Sequence, residues 1–173
     1  MTVSAQESLY QEAIDRYGSA LQRVARANEA DPDKRKDLLQ EIHLALWLSL
    51  EKFESRCSLQ TWVYRIAHNT ATSHVIRQHR RNSRELLSLK QVEEASDFAD
   101  PAKDVGERKA IERLFELIHR LKPLDRDLML LYLEDLDASS IAEIVGISPG
   151  HVRVQIHRIK AILTRQFHQK GMS

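Results

Sequence analysis

Apolar residues recur at helical spacing along almost the whole chain, so the pattern predicts an all-helical protein. Only five glycines and four prolines interrupt the 173 residues, and the clearest breaks are Asp31-Pro32, Pro123 and Gly146. The predicted helices cover about residues 5 to 28, 34 to 54, 59 to 81, 107 to 122, 124 to 134, 137 to 145 and 149 to 163.

The last two predicted helices form a helix-turn-helix, a motif that places its second helix in the major groove of DNA. Asp137 is a candidate N-cap for the first helix, Gly146 ends it, and Ser148-Pro149 starts the second. Helical spacing places Val152, Ile156, Ile159 and Leu163 on one buried stripe and leaves Arg153, His157, Arg158 and Lys160 outside it. An ordinary helical hairpin with a solvated face is the simpler alternative.

The formal net charge is only +1, but the charges are unevenly distributed. Residues 56 to 84 and residues 148 to 173 contain several arginines and no acid, whereas residues 85 to 107 are strongly acidic. Two basic faces separated by an acidic spacer favour two contacts with one nucleic acid, because each neutralised phosphate releases counterions. The spacer lacks helical periodicity and is predicted to be a flexible linker.

The third predicted helix begins after a polar loop, Phe53 to Gln60, where Ser58 is a candidate cap. Trp62 lies on its apolar stripe and is expected in the core. The opposite face combines aromatic, amide and cationic side chains, a mixture typical of surfaces that hold single-stranded nucleic acid. This face comprises Tyr64, Arg65, His68, Asn69, Ser73, Arg77, Arg80 and Arg81.

No metal, cofactor or membrane segment is expected. Cys57 is the single cysteine and excludes an intrachain disulfide. The histidine pairs His74/His79 and His151/His157 lack the i, i+4 spacing of a helical metal site. No apolar run approaches the roughly 18 residues that span a bilayer, and the N-terminus lacks a signal sequence, so a cytoplasmic protein is expected.

Three segments together resemble the extracytoplasmic-function (ECF) branch of bacterial RNA polymerase sigma factors. They are DLLQEIHLALW from Asp37, TWVYRIAHNTA from Thr61 with its RQHRR extension, and LKPLDRDLMLLYLEDLDASSIAEIVGISPGHVRVQIHRIKAIL from Leu121. The resemblance implies two small helical domains, σ2-like over residues 1–84 and σ4-like over 107–173, joined by a flexible acidic linker over 85–106. It also implies no catalytic residue, since the polymerase carries out the chemistry.

Binding roles follow from the resemblance, position by position. The core polymerase, through its β′ clamp and β subunits, and promoter DNA are the implied partners, and an anti-sigma factor or other regulator is a further candidate. The loop Glu54 to Gln60 resembles the one that captures a flipped −10 base. The implied sites are core docking by Asp37, Gln40 and Glu41; −10 binding by Arg65, Asn69, Arg77, Arg80 and Arg81; and −35 reading by Arg153, Val154, His157 and Arg158. Lys160, a point charge further along the same helix, is expected to bind −35 DNA through a phosphate.

The chain departs from the family pattern at Arg35 and Lys36, where acids are common, and at His43, where an aromatic residue is common. Two other classes of protein explain part of the sequence. A stand-alone helix-turn-helix regulator accounts for the C-terminus but not for the acid-free third helix. A decoy that binds an anti-sigma factor needs the helices but not the base-reading cations.

Overall fold

The computed structural model describes residues 3–86 and 106–169 and confirms the all-helical prediction. Those residues form seven helices and no strand. Residues 87–105, most of the predicted linker, lie outside the described residues. The helices are α1 (Val3–Asn28), α2 (Pro32–Leu50), α3 (Leu59–Leu86), α4 (Glu107–His119), α5 (Pro123–Leu133), α6 (Ala138–Val145) and α7 (Pro149–Gln169).

Helices α1, α2 and α3 pack on one another and share a core. The buried stripe of α2 is Leu38, Ile42, Leu46 and Leu50, each at most 1% exposed. The neighbouring Leu39 lies off this stripe and is only partly buried. The i, i+4 spacing that starts at Leu38 keeps all four side chains on one face of the helix.

Helix α2 begins two residues earlier than predicted, because Asp31 and Pro32 start it as well as separating it from α1. Asp31 Oδ1 accepts hydrogen bonds from the amides of Asp33 (2.9 Å) and Lys34 (3.0 Å), and Pro32 occupies the first turn. Helix α3 continues to Leu86 rather than Arg81, because the intervening residues contain no glycine or proline.

The helix-turn-helix has the predicted caps. Asp137 Oδ1 accepts from the Ser140 amide at 2.7 Å, and Ser148 Oγ accepts from the His151 amide at 3.2 Å. Gly146 adopts φ 77°, and its amide donates to Ala142 O, which ends α6. All four residues of the predicted stripe are buried, namely Val152, Ile156, Ile159 and Leu163.

The N-terminal unit (α1–α3) and the C-terminal unit (α4–α7) contact each other. Helix α3 packs against α6 and α5, and α1 packs against α4 and α5. The arginine Arg26 lies over the ring of Phe115, 4.5 Å from its centroid. In the part of the chain that the structure describes, no helix is long and apolar enough to cross a membrane.

The left-handed conformation of Gly146 generates a stability prediction. Gly146→Ala should lower the free energy of unfolding by roughly 1–2 kcal/mol, because a Cβ is strained at positive φ. Gly150→Ala is the matched control. It lies in the first turn of α7, and an added Cβ meets no atom within 4 Å, so it should stabilise by about 0.4–1 kcal/mol. Urea unfolding measures both, and equal effects would contradict the account of the turn.

Candidate functional site

The outer face of α2 carries the residues predicted to dock on polymerase. Asp37 and Gln40 are exposed, and the Glu41 side chain is 42% exposed. Leu44 and Leu48, which were not among the predicted site residues, follow on the same face and are 61% and 58% exposed. Helical periodicity places both leucines off the buried stripe of α2, so the sequence itself indicated that they are exposed.

Three residues near this face depart from the family pattern, and two of them make contacts that stabilise the fold. Arg35 spans the α1–α2 turn, where its Nε donates to Glu29 O at 3.1 Å and its Nη2 donates to Ala30 O at 2.8 Å. His43 Nδ1 lies 2.9 Å from Tyr10 Oη, and burial lowers the pKa of the imidazole, which favours its neutral form. Lys36, by contrast, is exposed and pairs with Asp33 at 3.2 Å.

The loop before α3 is anchored at both ends. Trp62 Nε1 donates to Ser49 Oγ at 3.0 Å, and the Trp62 ring packs against Phe53 with the centroids 5.4 Å apart. Ser58 Oγ accepts from the Thr61 amide at 3.0 Å, which confirms the predicted cap. Trp62 is therefore a structural residue, as expected.

The predicted −10 residues of α3 differ in their surroundings. Asn69, Arg80 and Arg81 are exposed. Arg65 pairs with Glu143 of α6, and Arg77 pairs with Glu41 of α2. The structure thus presents part of the predicted nucleic-acid face to solvent and engages the rest in contacts within the chain.

Tyr64 and His68 correct the prediction that they belong to an open stacking surface. Tyr64 is 2% exposed and packs edge-on against Tyr17, with the ring centroids 6.1 Å apart. Burial, followed by the nearby charge of Glu134, raises the pKa of Tyr64. His68 is largely covered beside Asp127. The C-terminal unit covers this side of α3, and a local sequence pattern cannot reveal that contact.

His74 is also buried, and its neighbours are carboxylates rather than the ligand set of a metal site. Its Nε2 lies 3.1 Å from Glu29 Oε2, and its Nδ1 lies 3.9 Å from Glu41 Oε1. Within the described residues, no group of three or more histidine, cysteine or acidic side chains could hold a metal ion.

Helix α7 presents its predicted −35 residues outward. Arg153, Val154 and His157 are exposed, and Val154 is 68% exposed, unusually open for an apolar residue. Two cations have neighbours on α5. Arg158 Nη2 lies 3.6 Å from Asp125 Oδ2, and Lys160 Nζ donates to Tyr132 Oη at 3.0 Å.

Comparison with known proteins identifies the family of this chain. The Sigma-70 region 2 family matches residues 13–82, and the Sigma-70 region 4 family matches residues 111–163. An ECF RNA polymerase sigma factor, SigF of Caulobacter vibrioides, is 33% identical over 143 residues, which cover 81% of this chain and 75% of SigF. The chain belongs to the ECF sigma factors.

One further relative and two solved structures are similar to this chain. The ECF sigma-E factor of Haemophilus influenzae is 30% identical over 134 residues, 73% of this chain and 71% of that protein. The sigma factor RpoE from Bartonella quintana, solved with the anti-sigma factor NepR, superposes with a TM-score of 0.72 at 20% identity over 92% of this chain and 96% of RpoE. CnrH, solved with the cytosolic domain of CnrY, gives 0.63 at 19% identity, covering 92% and 88%. At these identities the two structures show a shared fold.

The contacts of Arg35 predict that its substitution lowers the stability of the protein. Arg35→Ala should lower the free energy of unfolding by about 1–2 kcal/mol, because hydrogen bonds from a charged group contribute roughly 1.5–3 kcal/mol and Arg35 is partly exposed. Lys36→Ala, the control at the neighbouring exposed position, should stay within about 0.5 kcal/mol. Urea unfolding compares them; similar losses would mean that the Arg35 contacts do not hold the turn.

Proposed function

We propose that this ECF sigma factor docks on core RNA polymerase through α2 and directs it to promoters by contacting the −10 and −35 elements. The observation that carries the proposal is the outer face of α2, where exposed leucines stand beside acids on a unit separate from the helix-turn-helix. A stand-alone helix-turn-helix regulator needs no such face, and a decoy needs no outward cations on α7.

Docking through α2 fits the ordinary composition of a protein interface. Leu44 and Leu48 are the apolar anchors, and Asp37, Gln40 and Glu41 surround them with polar groups. Acids at the rim steer the approach of a basic partner surface more than they add affinity. The partner we propose is the clamp of the β′ subunit, with further contacts to β.

Binding of the −10 element is assigned to the anchored loop Glu54 to Gln60 and to α3. Asn69, Arg80 and Arg81 are exposed and can meet the unwound strand directly, with phosphate contacts from the arginines. Arg65 and Arg77 carry the same chemistry but must first leave their acidic partners within the chain.

Binding of the −35 element is assigned to α7. Arg153 and Arg158 can take the O6 and N7 acceptors of a guanine together, and Val154 offers apolar contact to a thymine methyl group. His157 lies one turn from Arg153 on the same exposed surface. Lys160 is a point charge further along the helix and is better suited to a phosphate.

The remaining assignments follow from this role. The domains are residues 1–84 and 107–173 with a linker over 85–106, and the chain acts in the cytoplasm beside the polymerase. No step of phosphodiester synthesis is ascribed to its residues. The relatives solved with NepR and CnrY support an anti-sigma factor as a candidate regulator.

Transcription from a defined start tests the proposal. Purified chain added to core polymerase on a genomic template should give discrete transcripts, and Leu44→Ser with Leu48→Ser should weaken core binding at least about tenfold, because interface anchors contribute more than about 1 kcal/mol each. Val154→Ser removes a similarly exposed apolar side chain from the proposed DNA face and should leave core binding unchanged. No defined transcript from the unaltered chain would overturn the proposal.

The recognition helix allows a second test, which separates base reading from phosphate contact. Arg158→Ala should cost roughly 1–3 kcal/mol at the preferred −35 sequence and relax preference at one position, whereas Lys160→Ala should weaken every variant by a similar factor. Transcription from a panel of single-base −35 variants measures both. If Arg158→Ala weakened transcription from every −35 variant by the same factor, Arg158 would only position the helix. Base reading would then fall to Arg153, Val154 or His157.

A further inference from the structure

Helix α5 supplies polar neighbours to two cations on the outer face of α7. Arg158 Nη2 lies 3.6 Å from Asp125 Oδ2. Lys160 Nζ donates to Tyr132 Oη at 3.0 Å. Asp125 and Tyr132 are seven residues apart, so they lie on one face of α5. The surface proposed to bind the −35 element is therefore backed by polar groups from a second helix.

The two members of the Asp125–Arg158 pair differ in how firmly they are held. The Asp125 side chain is 13% exposed, whereas that of Arg158 is 58% exposed. Asp125 also lies in the first turn of α5, where the positive end of the helix dipole favours a carboxylate. The acid is therefore the fixed member of the pair, and the long arginine side chain is the one that adjusts to it.

The geometry of the pair leaves the guanidinium able to bind another group. A separation of 3.6 Å makes this an ion pair and exceeds the length of a direct hydrogen bond. The guanidinium carries five N–H donors, and a guanine takes only two of them. Asp125 can thus restrict the Arg158 side chain without consuming its donors. A side chain that is already restricted loses less conformational entropy when it binds.

We propose that Asp125 is a specificity-determining positioning residue of the −35 surface. Its carboxylate holds the Arg158 guanidinium in the orientation in which its fork meets one guanine, and Asp125 itself does not touch DNA. The inference rests on the proposed function for the base that Arg158 reads. The ordering of Arg158 by Asp125 is measurable in the free chain, without polymerase or DNA.

Transcription by the full chain with core polymerase, on the panel of single-base −35 variants, tests the effect on base reading. Asp125→Asn removes the charge and keeps the size of the side chain. At the position where Arg158→Ala relaxes preference, Asp125→Asn should lower the preference about two- to fivefold, the range that a partly exposed ion pair supplies. Preference at every other position should stay unchanged. In an Arg158→Ala background, Asp125→Asn should alter no preference, because the group that it positions is absent.

Asp135→Asn is the matched control for the loss of one negative charge. Asp135 is exposed in the same C-terminal unit, and its φ of 58° is one that asparagine readily adopts. Both variants share any general gain in DNA affinity from reduced repulsion, so a change in base preference separates them. Asp125→Ser, which also keeps a polar group in the first turn, replaces Asp125→Asn if that variant fails to fold.

Nuclear magnetic resonance of the free full chain measures the positioning directly. The heteronuclear Overhauser effect of the Arg158 Nε–H group should exceed that of Arg165, which is exposed on the same helix. Asp125→Asn should lower the Arg158 value to the Arg165 level, and Asp135→Asn should leave it unchanged. Equal Arg158 values in the unaltered and Asp125→Asn chains would overturn the inference.

Two outcomes of the transcription assay would also overturn it. One is a uniform loss with Arg158→Ala, since Arg158 would then read no base. The other is stronger transcription from every −35 variant with Asp125→Asn than with Asp135→Asn at unchanged preference, because the carboxylate would then compete with DNA for Arg158. If the unaltered chain gives no defined transcript, the proposed function fails, and the resonance comparison still decides whether Asp125 positions Arg158.

Discussion

The carboxylate of Glu134 forms three of the hydrogen bonds that join the two units. It lies at the C-cap of α5, where the negative end of the helix dipole disfavours an anion. Arg23 compensates for this with two hydrogen bonds, and Tyr64 adds a third. Because the side chain is only 13% exposed, water cannot easily replace these donors while the units remain together. The stability of α5 and the contact between the units are therefore linked through one side chain.

Local patterns predicted the helices well, because the signals for their starts and ends act within a few residues. Asp137, Gly146 and Ser148 each hold the position that their chemistry requires, and the stripe from Val152 to Leu163 is buried throughout. Boundaries differ from the prediction where one residue serves two elements, where no breaker is present, and at the end of α2, which stops at Leu50 rather than near residue 54. Pro32 both separates α1 from α2 and occupies the first turn of α2, and α3 runs on to Leu86.

The candidate sites were harder to predict, because exposure depends on residues far away in the sequence. Tyr64 and His68 have the composition of a stacking surface, yet α5 covers them, and nothing near residue 64 encodes Glu134 or Asp127. Arg35 looked like a change on a docking surface and proved to hold a turn. Periodicity gives the face of a helix, but only the packed structure shows which face is covered.

The anchored loop before α3 has a consequence for the entropy of binding. Its ends are fixed by Trp62 and Ser49 on one side and by the Ser58 cap on the other. Ser55 within it adopts φ 56°, a conformation that ordinary residues hold only when their surroundings require it. In the proposed −10 role, a loop already held in shape would lose little conformational freedom on taking up a base, whereas ordering a backbone residue otherwise costs about 1–2 kcal/mol. More of the contact energy of that proposed role would then remain to offset the unstacking of the base from the duplex.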